Sequence, residues 1–305
     1  MARGAILQEF ADAGRYAGAV FYYNPSWIRP AHYHGQLELL ILTRGELTFR
    51  VAGLVQTIAA PALVWHLPTL EHECVRGSYD CFFWIAMFEP DFAEQVLSQM
   101  PKIRQRTSAL TRNVEAGPFS QWIVGLASLV GATPAFQVPA RLALRLEELS
   151  ALAHHVEPAG VAFAPALGEI LTLAVAETVS QLSSAAPASL AELGTALLLA
   201  APRLPREVIC RQLDVSSSYL ARQFRERLGT TFVEYRTRAR LVSFLAGAAQ
   251  GHTTLLRAAL DSGFGSYSQA HRAFSTTTGY CPRDYLFNGG RDERSLVVVN
   301  EARVT

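Results

Sequence analysis

Two segments near the carboxyl end constrain this chain most, because each spells a short helix, a tight turn and a second helix in the same order. In "REVICRQLDVSSSYLARQFRERLG" (206–229), Val208, Ile209 and Leu213 give a short helix an apolar face, and Asp214 and Val215 make the turn. Ser216 is placed to cap the next helix, whose Leu220 and Phe224 lie four apart on one side. Gly229 supplies the left-handed residue that ends it. About fifty residues on, "TLLRAALDSGFGSYSQAHRAFSTTTG" repeats the pattern, with a turn at Gly263, Phe264 and Gly265, then a helix that carries Phe274 and closes at Gly279. Between the copies, "FVEYRTRARLVSFLAGAA" reads as one longer connecting helix with Arg236, Arg238 and Arg240 clustered on it. Two short helices joined by a brief turn form a helix-turn-helix, and its second helix suits a major groove about 12 Å wide.

Charge agrees with that placement. Residues 203–305 hold fifteen Lys/Arg against nine Asp/Glu, whereas residues 1–100 hold six against ten and residues 101–202 six against seven. The overall charge of +1 therefore hides a basic final third on an otherwise acidic chain, which points to a polyanion partner for that third. Almost all of the positive charge is arginine, Lys102 being the sole lysine.

At these residues the chain resembles the AraC/XylS family of bacterial transcription regulators. Ser216, Leu220, Phe224, Gly229, Tyr235 and Arg240 match in the first copy; Gly263, Phe264, Ser268, Phe274, Gly279, Pro282 and Tyr285 match in the second. The resemblance covers roughly residues 190–288 and implies seven helices, with two recognition helices entering successive major grooves on one face of double-stranded DNA. It places Ser218, Ala221, Arg222 and Arg225 along the first recognition helix, and Ser266, Tyr267, Gln269 and Arg272 along the second. Arg222 and Arg272 suit bidentate contacts to guanine and Gln269 suits adenine. Arg225 and the 236–240 cluster suit phosphate contacts, which position a protein without reading sequence. The sequence departs from the family at Ala270, where a large aromatic is usual. It also departs at Gly247 and Ala248, in place of a hydrophobic pair, and at Cys281, in place of a serine beside Pro282. Loss of a packing aromatic costs a few kcal/mol unless something fills the space.

The amino-terminal part has a different texture. From about Gly18 to Phe88, short strand-like runs are punctuated by glycine and proline, and in "GELTFRVAG" Leu47, Phe49 and Val51 alternate with Glu46, Thr48 and Arg50. Such spacing predicts a small sandwich or barrel. Within it, "HYHGQLELLILTRG" sets His32, His34 and Glu38 at one parity, so on a continuous strand all three side chains share a face, and His72 can join them from another strand. Three imidazoles and a carboxylate are a donor set for a divalent transition metal (Zn, Fe, Mn or Ni), which ligand type alone does not separate. The layout resembles the first cupin motif, with "PTLEH" (68–72) like a shortened second one. Cupin barrels also supply the effector domain of many AraC-type regulators, so the two halves agree. The same histidines also serve in cupins as plain pocket or structural residues. Trp65, Phe83 and Trp84 read as barrel core, and His66 adjoins Trp65; His154, His155, His252 and His271 are assigned no metal role.

The Ala/Leu-rich stretches beyond Glu89 ("SQWIVGLASLVGA", "ARLALRLEELSALAHHV", "LGEILTLAVAETVSQL") read as amphipathic helices. The expected fold is thus α+β: a cupin-like sensing barrel over 1–90, a helical dimerisation region over 91–186, the double helix-turn-helix over 187–290 and a tail over 291–305. No apolar run reaches a membrane span and the start lacks the layout of a secretion signal, so a cytoplasmic, non-membrane protein is expected. Cys74, Cys81, Cys210 and Cys281 form no CxxC pair and read as small buried hydrophobes. The expected function is transcription regulation, as activator or repressor, by a homodimer that answers a small molecule or metal in the barrel and is not an enzyme. The alternatives are a metal-dependent cupin enzyme with a helical appendage, and a constitutive DNA-binding protein whose barrel senses nothing.

Overall fold

A computed structural model of the chain describes residues 6–7, 18–23, 31–51, 53–100, 163–181, 189–249 and 253–287, with short pieces at 123, 138 and 141–145. The strands come first: β1 (Ile6–Leu7), β2 (Gly18–Tyr23), β3 (His32–Tyr33), β4 (Leu37–Arg44), β5 (Glu46–Val51), β6 (Leu54–Ala59), β7 (Ala62–His66), β8 (His72–Gly77) and β9 (Phe82–Phe88). They form a five-stranded sheet in the order β1-β3-β8-β5-β6 and a four-stranded sheet in the order β2-β9-β4-β7. Among the described residues these are two separate sheets, so the expected barrel is cupin-like without a ladder that closes around it.

Local chemistry explains the strands. β4 lies between β9 and β7, and Leu37 through Leu42 are all buried, which is why it reads as an apolar run interrupted only by Glu38. β5 buries Leu47, Phe49 and Val51 and exposes Glu46; Thr48 is buried too, its hydroxyl 2.8 Å from that of Thr57 on β6. The turn between β4 and β5 needs Gly45: its φ is +71°, and a Cβ there would sit 2.8 Å from the Cα of Cys81.

Helix α1 (Pro90–Ser98) follows the strands, and α2 (Phe163–Gln181) packs on α1 and β2. The Trp65 indole donates to the Thr178 hydroxyl at 2.9 Å, which ties β7 to α2. Of the helices expected in the middle, α2 is described; the other two lie mostly outside the described residues, as do the tail and most of the 182–189 linker.

The final third is helical throughout: α3 (Leu190–Ala200), α4 (Arg206–Gln212), α5 (Ser217–Leu228), α6 (Phe232–Ala249), α7 (Leu255–Asp261), α8 (Tyr267–Thr278) and α9 (Pro282–Phe287). Seven helices match what the resemblance implies. The Ser216 hydroxyl accepts from the Tyr219 amide, and Gly229 closes α5 at φ 60°. Ser266 and Gly279 do the same for α8. The turn residue with positive φ is Asp214 in the first copy and Gly263 in the second. α6 starts with a reciprocal cap: Thr231 Oγ1 accepts from the Glu234 amide at 3.1 Å, and Glu234 Oε2 accepts from the Thr231 amide at 2.9 Å.

The departures from the family pattern are accommodated. Cys281 takes the serine's capping place, with its Sγ 3.4 Å from the Asp284 amide that donates to it. A Cβ on Gly247 would lie 3.8 Å from the Ala258 Cβ, so α6 and α7 approach closely there. Ala270 is fully buried, in one apolar cluster with Leu241, Phe244, Phe274, Tyr285 and, from the sensor strand β3, Tyr33. Ala270 is thus enclosed by apolar side chains although the aromatic is missing.

Candidate functional site

Two regions carry chemistry. The first lies between the sheets. His32 and His72 are cross-strand partners on β3 and β8 of the five-stranded sheet, whereas Glu38 stands on β4 of the other sheet. The chain bends at 35–36 between β3 and β4. The four residues therefore meet across a strand break and two sheets, and shared parity on one continuous strand, as the sequence suggested, is not how they are assembled. They still converge: His32, His34, Glu38 and His72 are all buried, and one donor atom from each lies within 4.8 Å of the others.

His66, paired with Glu38 in the β4–β7 ladder, belongs to the same cluster. Its Nδ1 donates to Glu38 Oε1 at 2.7 Å, and its ring stacks on that of His72 at 4.4 Å. Sequence reasoning left His66 beside Trp65 as a neighbour without a task. The available signal was its place at the end of "ALVWH", on a strand able to pair with the one that carries Glu38.

Hydrogen bonds orient the rings. His72 Nδ1 donates to the Leu70 carbonyl at 2.9 Å, and His34 Nδ1 donates to the Gln36 carbonyl at 3.2 Å. Each bond fixes the orientation of its ring and turns Nε2 to the centre, where a protonated ring donates to Glu38 and a neutral one offers a lone pair. His34 Nε2 is 3.0 Å from Glu38 Oε2. His72 Nε2 is 3.6 Å from the same oxygen, beyond hydrogen-bond reach, and with His66 Nε2 it is buried with no hydrogen-bond partner among the described residues. Burial by itself opposes ionisation of Glu38, but the His72 charge and the bonds from His34 and His66 outweigh it and hold the carboxyl well below the usual carboxylate range.

An ionised carboxylate among converging imidazole nitrogens asks for a cation, supplied by a proton on a ring or by a metal. Ligands held at about 2.1 Å leave opposite donors no more than about 4.2 Å apart. The 4.8 Å span closes onto an ion with side-chain shifts of a few tenths of an ångström. The residues present fit a transition metal.

The second region is the outer face of the two helix-turn-helix units. On α5, Ser218, Arg222 and Arg225 are exposed and Ala221 is half-buried. The Arg222 guanidinium lies over the Tyr219 ring at 4.9 Å and 3.8 Å from Glu226, both surface contacts that leave it reachable. On α8, Arg272 and Gln269 are exposed, and Ser266 and Tyr267 are half-buried. A surface groove runs along α8 past Tyr267, Ser268, His271 and Arg272. Two of these residues have local duties: the Ser266 hydroxyl accepts from the Gln269 amide, and Gln269 Oε1 accepts from the Gly265 amide at 3.0 Å. The arginines of α6 are largely engaged as well. Arg238 pairs with Glu71 at 3.0 Å, Arg240 donates to the Pro202 carbonyl at 3.0 Å, and Arg236 lies over the Phe232 ring.

A cupin-like two-sheet domain followed by a doubled helix-turn-helix defines a DNA-binding regulator with its own ligand-binding domain. Two family models match the chain in that order: an AraC-like ligand binding domain over residues 19–156 and a helix-turn-helix domain over residues 209–287. The chain belongs to the AraC family of transcription regulators. Among solved structures it is similar to an apo ToxT variant from Vibrio cholerae strain SCE256, at 13% identity over 89% of this chain and 97% of that one, TM-score 0.46. It is similar also to unsaturated fatty acid-bound wild-type ToxT of the same strain, at 13% identity over 88% and 94%, TM-score 0.46. A third is the AraC-like transcriptional activator CuxR, at 15% identity over 75% and 72%, TM-score 0.32. No curated protein matches.

Proposed function

We propose that this regulator senses a divalent transition metal, held by His32, His34, Glu38 and His72, with His66 orienting the carboxylate. One observation carries the reading: four donors of the right chemistry converge within 4.8 Å in a fully buried centre whose carboxylate is held ionised. The burial favours sensing over catalysis, because each of the four residues is at most 6% exposed, whereas a catalytic ion keeps an open position for substrate. When bound, the metal supplies positive charge and fixed geometry. The protein's own residues do the rest: Leu70 and Gln36 carbonyls fix the ring tautomers, and the β3 and 67–71 backbone follows the ring positions.

The output is DNA binding through α5 and α8. Ser218, Ala221, Arg222 and Arg225 on the first helix, and Ser266, Tyr267, Gln269 and Arg272 on the second, are the residues proposed to face the duplex. Metal binding acts only by favouring one arrangement of the domains over another, since equal affinity for both shifts nothing. The working unit is proposed to be a cytoplasmic homodimer, with domain limits near 90, 186 and 290.

The test pairs metal titration with footprinting of the adjacent promoter. Zn²⁺, Mn²⁺, Fe²⁺ and Ni²⁺ are titrated into the metal-stripped chain and into His34→Ala. The expected result is stoichiometric binding of one of these ions to the native chain, loss of that binding in the variant, and a footprint whose strength depends on the ion. Equal binding by both chains overturns the assignment of the site.

A further inference from the structure

The metal ligands sit on the same short segments that press against the DNA-binding domain. Tyr33, the last residue of β3, stands between His32 and His34 in the chain. Its ring is buried in the core of the second helix-turn-helix, with Leu241, Phe244, Ala270 and Phe274. Thr277 of α8 lies near its hydroxyl, and the Arg238 guanidinium lies 5.0 Å from its ring centre. Next to His72, Glu71 pairs with Arg238 at 3.0 Å. The Pro68 carbonyl accepts from the buried Tyr235 hydroxyl at 3.2 Å, and Tyr235 itself packs against Phe224 in the first helix-turn-helix. The backbone of Gly35, beside His34, meets α6 so closely that a Cβ would lie 2.3 Å from a Val242 methyl. β1, paired with β3, also lies against α8.

From this juxtaposition we infer that the sensor is docked on both helix-turn-helix units through Tyr33, Gly35, Pro68 and Glu71, and that metal at the neighbouring histidines strengthens the docking. Tyr33 stands in for the aromatic that Ala270 lacks, so the second unit has a complete core only while the sensor is seated. Alternation from β3 into the residue after it provides the coupling: ligand (His32), core residue (Tyr33), ligand (His34). An ion that draws His32 and His34 together fixes the backbone on both sides of Tyr33. The Leu70 carbonyl, which orients His72, lies between Pro68 and Glu71 and fixes the other contact in the same way. This rests on the metal reading above for its trigger, while the docking contact stands on its own geometry.

Docking and metal binding are then reciprocal, and whatever loosens one weakens the other by the same factor. The experiment uses the full chain as wild type, Arg238→Glu, Glu71→Arg, the double charge reversal and Tyr33→Phe. Amide hydrogen exchange of α6 and α8 is measured with and without Zn²⁺, alongside the Zn²⁺ dissociation constant. Without metal, either single reversal is expected to speed exchange in α8 by about 5-fold or more, and the double reversal to restore protection. Tyr33→Phe, which folds if any variant does, is expected to speed α8 more than α5. Arg238→Glu, which touches no ligand, is expected to weaken Zn²⁺ binding by about 5-fold or more, and Zn²⁺ to slow α8 exchange in the wild type. Unchanged α8 exchange in all variants overturns the docking. Faster exchange with an unchanged Zn²⁺ constant overturns the coupling. If the wild type binds no metal while the exchange results hold, the metal reading falls and the docking contact survives.

Discussion

At the scale of single residues, Glu38 and His66 show what sequence does and does not disclose. His32, His34, Glu38 and His72 are legible as a donor set, because few side chains bind transition metals and three within seven residues, with a fourth on a later strand, attract notice. His66 is not legible, since its role depends on the cross-strand pairing of β7 with β4, and pairing is a long-range property. Its bond to Glu38 gives the two kinds of histidine different expected phenotypes. Replacing His34 by alanine removes a ligand and is expected to abolish binding. Replacing His66 by alanine leaves the donors in place but frees Glu38 Oε1, and is expected to lower metal affinity by about 10–100-fold. Competition with a chelator of known affinity measures both. Equal losses in the two variants would promote His66 to a direct ligand.

At the scale of elements, the helices were readable to within a residue or two because caps are local chemistry: Ser216, Ser266, Gly229 and Gly279 act within one turn of their own position. What encloses Ala270 was not readable, because its apolar cluster includes Tyr33, from a strand more than two hundred residues earlier. Two predictions belong here. The site at Ala270 is already packed, so Ala270→Leu is expected to destabilise by about 1–3 kcal/mol through overpacking, where an unfilled gap would have given stabilisation. The midpoint of urea unfolding decides between the two signs. At the start of α6, the Thr231 amide and hydroxyl hold the exposed Glu234 carboxyl below its ordinary value. A carboxyl held lower in the folded chain contributes stability above its unfolded pKa of about 4.3, and that contribution is lost as pH falls through the lower folded value. The Tm difference between wild type and Glu234→Gln is therefore expected to be full near neutral pH and to vanish in acid.

At the scale of the whole molecule, the two ends of the chain were legible separately and their contact was not. A repeat of helix, turn and helix with basic charge announces a DNA reader, and strands with clustered histidines announce a pocket, but neither pattern states where one domain rests on the other. The contact also reassigns charge. Arg238, which the sequence offers to phosphate, is held by Glu71 and Tyr33, whereas Arg222 stays on the open face of α5. The two arginines should thus fail differently. Arg222→Ala is expected to cost about 1–3 kcal/mol at the preferred site and little on unrelated duplexes, with specificity relaxed at the base it reads. Arg238→Ala in the metal-loaded chain is expected to leave the salt dependence of binding unchanged, since a residue that neutralises no phosphate releases no counterion. Plots of log affinity against log salt for wild type and both variants separate the roles, and a slope that falls by about one for Arg238→Ala would place that residue on the DNA backbone after all.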